Sequence, residues 1–220
     1  MKNQLKNIER GNTIPFAGYD WIVLEHDAAA NTTLVLMADI LENRAFDDNN
    51  NADWRQSSAR KYLNGPFLDN LTDKADGAAR QIMKATINLM AEDGTFRETC
   101  TDNVFLLSCD QYRKHRDIIE PLDDWWWTLT RYSASNSYSV RFVDTDGALG
   151  GNDAYSGNNG LRPALLLSSD LLISDIPELS DELLEELATV SKEAGVPIET
   201  AIGWIKMILA SLPKKEADNE

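Results

Sequence analysis

Three consecutive tryptophans, Trp125-Trp126-Trp127, open a stretch that reads as strands and Gly/Asn turns as far as Leu167, with no helical period. Successive side chains on a strand point to opposite faces, so Trp125 and Trp127 share one face and Trp126 takes the other. Core packing on both sides of the strand is therefore expected, in preference to a three-tryptophan sugar platform. A chain of 220 residues, 43% of them hydrophobic, supplies one sizeable core, or one domain with an appendage.

Upstream, Thr13 to Glu25 reads as two short strands around a turn at Gly18, and Leu34 to Ala38 as an apolar strand that forms a hairpin after the turn at Asn31-Thr32-Thr33. Phe46 to Asn51 is polar and aperiodic, a loop. Trp54, Ser58, Lys61 and Tyr62 then recur at helical spacing until Asn64-Gly65-Pro66 ends the run. Weaker helical signals follow over 67–71 and 78–84. Val104 to Ser108 reads as a buried strand and Cys109 to His115 as a short helix. Cys100 and Cys109 flank that strand. An extended segment holds their Cα atoms beyond disulfide reach, which predicts free thiols. Arg162, before Pro163 in an apolar strand, is expected to be buried and paired.

After Ile173 the composition shifts. Ile176-Pro177-Glu178 reads as a linker, and two helices follow, one capped by Ser180 and ended by Gly195, the next opened by Pro197. The segment from Asp175 to Glu220 carries four lysines and eleven acids, a net charge of -7. The expected organisation is a ligand-binding domain over 1–174 and an acidic helical tail over 175–220, whose apolar faces within 178–212 offer self-association. Helix-turn-helix spacing at Gly195 is outweighed by that charge and by a second helix offering only Glu199, Thr200 and Lys206 to bases.

Several motifs occur in a telling order: Phe16-Ala17-Gly18-Tyr19-Asp20-Trp21-Ile22-Val23-Leu24; Trp54 through Asn64, with Trp, Ser, Arg and then aromatic-Leu-Asn; Asp102-Asn103-Val104-Phe105-Leu106-Leu107-Ser108; Asp124-Trp125-Trp126-Trp127; and Gly160-Leu161-Arg162-Pro163-Ala164-Leu165. Together they resemble an uncharacterised family of bacterial and phage domains with a C-type-lectin-like fold, over roughly residues 12 to 170. The resemblance implies an α+β fold of mixed short strands and helices, related to formylglycine-generating enzymes and to the variable proteins diversified by retroelements; with the tail, a C-terminal helical hairpin is added. In the variable proteins, changeable residues are displayed between the tryptophan strand and the last strand, here Thr128 to Gly160. The Arg-Ser-Pro that follows the tryptophans in the family reads Thr128-Leu129-Thr130-Arg131 here.

That window is rich in Tyr, Ser, Asn and Gly, a composition suited to adaptable contacts: Tyr gives large rigid area, Ser and Asn adjustable hydrogen bonds. Tyr132, Ser133, Ser135, Asn136, Tyr138, Asn152, Asp153, Tyr155, Asn158 and Asn159 are the candidate ligand-binding residues, for a protein or glycan partner. The three tyrosines lead, because turns require no aromatic. No catalytic residue is assigned. The cysteines precede the tryptophan strand, whereas a formylglycine-generating activity needs a late pair. Ser108, His115 and Asp117 lie too close in sequence for a triad. No cofactor or metal is expected: Asp144-Thr145-Asp146-Gly147 lacks the closing Glu of a calcium loop and reads as a hairpin turn, the sugar-binding calcium triplets are missing from the window, and His26 and His115 stand apart. A formal net charge of -15 argues against nucleic acid. No apolar run suits membrane insertion, and with no signal-peptide pattern the expected location is the cytoplasm or a virion.

Overall fold

The tryptophan run packs as its alternation predicts. Trp125 lies against the Phe142 ring, centroids 5.1 Å apart at 19°, and Trp127 meets the same ring edge-on at 6.5 Å. Trp126, on the opposite face, packs edge-on against Tyr112 at 5.5 Å, with the Arg162 guanidinium 5.1 Å from its ring centroid. Trp126 and Trp127 are buried, while Trp125 keeps 38% exposure at the strand's start. The structure is a computed structural model and describes residues 2–75, 77–174, 189 and 192. The chain divides into two compact units, Lys2–Ile173 and a second made of Met1 with Ser174–Glu220. The predicted tail helices and their self-association lie outside the described residues apart from Thr189 and Lys192.

The first unit is mixed α+β. In chain order it contains β1 (Lys2–Gln4), β2 (Thr13–Phe16), β3 (Tyr19–Asp27), β4 (Thr32–Met37), β5 (Glu42–Asn43), α1 (Ser58–Tyr62), α2 (Leu68–Lys74), β6 (Ile82–Met83), β7 (Ala85–Asn88), β8 (Thr99–Asp102), β9 (Val104–Leu106), α3 (Cys109–His115), β10 (Trp126–Arg131), β11 (Ser139–Val143), β12 (Leu149–Asp153), β13 (Gly160–Leu161), β14 (Pro163–Ser168) and β15 (Leu172–Ser174). One sheet runs β2-β3-β4-β14-β6, with β9 also pairing β14. A second runs β12-β11-β10-β13-β5, and β7 with β8 forms a separate ribbon. β14 is a central strand, with β4 along one edge and β9 and then β6 along the other. Pro163, Ala164, Leu165 and Leu167 are buried and Leu166 half-buried, so apolar side chains occupy both faces of the strand and the run reads as continuously apolar.

Local chemistry accounts for the elements. The turn between β2 and β3 places Ala17 and Gly18 at positive φ, 51° and 75°, the two-residue geometry that matches strand twist. The Ser108 hydroxyl and the Gln111 side chain form a capping box that starts α3. The helical run from Ser58 does not stop at Asn64-Gly65-Pro66 as the sequence predicts. It continues through a π turn over Leu63–Phe67 into α2, with Gly65 at φ -121° and ψ -106°. Gly65 absorbs the non-helical step, and Pro66, which has no N–H to place, enters the new turn without losing a hydrogen bond. Phe46, in the predicted polar loop, is fully buried between Trp54 and Trp127.

The family-like motif around Trp54 proves to be a buried polar knot. Trp54 Nε1 donates to Asp102 Oδ2 at 2.9 Å, and Arg60 grips the same carboxylate through Nε at 2.9 Å and Nη2 at 2.6 Å. Asn64 closes it from the helix side: its Oδ1 accepts from the backbone of Asn103 and Val104, and its Nδ2 donates to the Val104 carbonyl at 2.8 Å. Ser57 caps α1, accepting from Arg60 N. Trp, Ser, Arg and Asn thus fasten the kinked helix to β8 and β9, a role in folding. Arg162 is buried and paired, with main-chain carbonyls as partners: Nε donates to Met37 and Nη2 to Ala38. Burial lowers its pKa to about 10. Cys100 and Cys109 are free thiols, as expected.

Candidate functional site

Thr128 to Gly160 folds as three strands of the second sheet and their connections. β10 and β11 pair antiparallel, with the register shifting between Trp127 and Arg131, and β11 pairs β12 from Ser139↔Asp153 to Val143↔Leu149. Phe142 lies across β12 so closely that a Cβ on Gly150 would stand 2.3 Å from its ring, which is why glycine occupies that position. Gly147, at φ 77°, turns the hairpin, and the Asp144 and Asp146 carboxylates accept from Thr145 N and Ala148 N within it. Among the described residues no group of His, Cys, Asp and Glu gathers that could hold a metal ion.

The predicted tyrosines collect at one end of this sheet. Tyr132 N donates to Ser139 O, and Ala154 N to Tyr138 O at 2.8 Å, which puts Tyr155 one residue beyond Tyr138's partner. Tyr155 N donates to Asn50 Oδ1, so the loop at 47–53 braces the same end, and Ala52 N donates to Ser137 O. That loop is fixed in turn by Asp47, whose carboxylate accepts from Asn49, Asn51 and Ser58 amides. The exposures of Tyr132, Tyr138 and Tyr155 are 50%, 49% and 58%. Among the described residues, Tyr132 alone of the three has a cation at its ring, the Arg141 guanidinium 5.6 Å from the centroid. Large aromatics held on hydrogen-bonded backbone with half their surface in water are more exposed than core packing requires.

The other candidates divide by role. Ser135 and Asn158 are exposed, and Asn152 and Asp153 half-buried. Asn136 is a turn former: its Oδ1 accepts from Tyr138 N and Ser139 N. Ser133 is buried and accepts from Asn136 N, so it stiffens the loop from inside. Asn159 has 0% exposure, its Oδ1 accepting from Asn152 Nδ2 at 3.0 Å. Ser133 and Asn159 therefore do not present side chains to a partner, because both are turned into the fold they support.

A second concavity, not legible in the sequence, lies elsewhere. It is a cleft of about 650 Å³ beside the first sheet, lined by β3, β4, β7, the start of α3 and the segment around Glu92. Of the window, only Thr130 reaches it. Glu92 links the two regions: its carboxylate pairs with Arg113 of α3 and Arg141 of β11, the arginine beneath Tyr132. Cys109 at the cleft wall is buried, which raises its thiol pKa. Burial and then the Asp102 carboxylate push Cys100 to about 12. Both shifts favour the protonated thiol.

The class these features define is a mixed α+β domain with a kinked helix knotted to two sheets and an exposed tyrosine end. By sequence, the chain belongs to the family described as a domain of unknown function, DUF6273, which matches residues 30–120 and 110–169. No curated protein and no solved structure matches the chain. Among the described residues, no helix is long and apolar enough to cross a membrane.

Proposed function

We propose that this chain is a non-enzymatic ligand-binding module, a C-type-lectin-like framework over 1–174 that meets a protein or glycan partner through Tyr132, Tyr138 and Tyr155. Ser135, Asp153 and Asn158 supply adjustable hydrogen bonds around them, while the Asn152 side chain is held within the loop, its Nδ2 donating to Asn159 and its Oδ1 accepting from Asp153 N. One observation carries the reading: three tyrosines converge on one end of a sheet, each half-exposed, on backbone tied by hydrogen bonds to β11, β12 and the 47–53 loop. Rigid aromatics lose little entropy on binding, the property that makes Tyr an economical contact residue. The ordered motifs from Phe16 to Leu165 support the framework reading, and the net charge of -15 favours a partner other than nucleic acid. The cytoplasm or a virion is the location that fits.

The test is a glycan array and a pull-down from host extract, each run with the wild-type chain and with Tyr132→Ala/Tyr138→Ala/Tyr155→Ala. A single central aromatic anchor contributes roughly 2 kcal/mol or more and such losses do not add, so the triple variant binds at least about 30-fold more weakly in the array, the pull-down or both. A partner retained at wild-type affinity by the triple variant overturns the proposal.

A further inference from the structure

We propose that the cleft beside the first sheet is a separate binding site, for a small ligand that carries a cationic amine on an apolar body. It is independent of the tyrosine end. The cleft's volume of about 650 Å³ suits a small molecule. Its floor is the face of the first sheet: Leu34 stands opposite Glu25 on one side and Leu166 on the other, and Phe105 lies one pair further along β14, opposite Ala164. Cross-strand partners share a face, so these apolar side chains form one continuous strip.

Charge sorts along that strip. At the α3 end the ions are satisfied within the protein: Arg113 pairs with Glu92 and Asp110, and Arg141 takes the other side of Glu92. Midway, Glu25 pairs with Lys114 and lies 3.3 Å from His115. At the far end, Asp27 stands opposite Thr32 at the close of the β3–β4 hairpin. One of its oxygens accepts from Ala29 N and Ala30 N, and among the described residues no cation pairs with it. The cleft thus runs from internally neutral ion pairs, over apolar side chains, to an exposed carboxylate without a counter-ion. An anionic ligand would meet repulsion there, and a neutral one would leave Asp27 unused. A cationic head at Asp27 with its apolar body along Leu34 and Leu166 complements every part.

The experiment titrates the full chain with 2-phenylethylamine and with 3-phenylpropionate, which share a ring and a short chain and differ in charge sign, by calorimetry and ligand-observed NMR. The amine is expected to bind at least about tenfold more tightly than the acid. Asp27→Asn keeps the oxygen that caps the hairpin and removes the charge, so it weakens the amine about two- to fivefold, the scale of an exposed ion pair. Thr86→Trp, at an exposed position of β7 on the cleft wall, fills the space and abolishes binding while the thermal midpoint stays unchanged. The tyrosine triple variant binds the amine as wild type does, which separates this site from the tyrosine end. Absence of amine binding at millimolar concentration, equal binding of the acid, or indifference to both Asp27→Asn and Thr86→Trp overturns the proposal.

Discussion

The knot around Asp102 and the tyrosine end at Tyr132, Tyr138 and Tyr155 use similar residues, aromatics interleaved with polar side chains, to opposite ends. In the knot, every polar partner is inside the protein. Trp54 and Arg60 bond one carboxylate, Asn64 bonds the backbone of β9, and Trp54 and Asp102 are buried. At the tyrosine end, the backbone is equally well tied, yet the aromatic rings are left facing water. A polar group whose bonds are complete within the fold stabilises it, whereas one left open on a rigid backbone is available to something else. The distinction lies in where the hydrogen bonds go, which composition does not reveal.

The sharpest way to break this comparison is at Asp102. Replacing it with Ala leaves the Arg60 guanidinium and the buried Trp54 Nε1 without their shared acceptor. Orphaning one member of a buried charge pair costs about 3–5 kcal/mol. Urea unfolding of Asp102→Ala should show that loss, and an unchanged midpoint would remove the knot from the account of stability. Because Asp102 also accepts from the Cys100 thiol, the variant should in addition label faster with iodoacetamide, as loss of the neighbouring negative charge lets that pKa fall.

His115 occupies the middle ground, a buried group whose Nδ1 has a partner in the fold while its Nε2, among the described residues, has no hydrogen bond and only the Glu25 carboxylate nearby. It is buried in α3. Arg10 Nη2 lies 3.3 Å from Nδ1, so that nitrogen accepts and the proton belongs on Nε2, facing Glu25. Burial lowers the His115 pKa below its ordinary 6.5, against the pull of Glu25 and with the help of Lys114 and Arg10. The unfolded chain therefore takes up a proton as pH falls through about 6.5 while the folded chain resists, so stability declines on acidification. Glu25, held below its ordinary 4.5 first by its hydrogen bond from Lys114, adds a further loss only under more acidic conditions. Denaturation midpoints should fall between pH 7.5 and 5.5 by less than the Asp102→Ala effect, and His115→Gln should flatten that slope; a slope that persists in the variant assigns it elsewhere.

Much of the fold was legible where a local rule decides the outcome. Strand alternation placed the tryptophans, Cys109 to His115 read as a short helix, and Asp146-Gly147 marked a hairpin. Pattern failed where tertiary contacts overrode it. The breaker pair Gly65-Pro66 sits inside a continuing helical segment because Asn64 anchors that turn to β9 and Gly65 takes up the kink. Phe46 is a core residue in a polar loop because Trp54 and Trp127 come from distant segments to meet it. The tyrosine end was legible as a set of exposed aromatics, but Ser133 and Asn159 look like their exposed neighbours in sequence, and only the fold shows them turned inward. The cleft left no trace, since Asp27, Leu34, Thr86, Arg113 and Leu166 belong to five elements separated along the chain and each has a local explanation.

The smallest expected effect is the one that separates the two regions most cleanly. If the tyrosine rings do nothing for the fold, removing them should leave stability where it is. Each substitution at Tyr132, Tyr138 or Tyr155 to Ala is expected to shift the unfolding free energy by no more than about 0.5 kcal/mol, the range for surface positions without a structural role. Tyr132 is the one most able to depart from this, because its ring covers the Arg141 guanidinium, and an exposed cation–π contact contributes roughly 0.5–1 kcal/mol. Urea midpoints for the three single variants therefore have a predicted order, with Tyr132→Ala the lowest and the other two level with wild type. A loss of 2 kcal/mol or more at Tyr138 or Tyr155 would mean that these rings pack as the knot does. The tyrosine end would then be part of the framework, and its exposure would no longer argue for a partner.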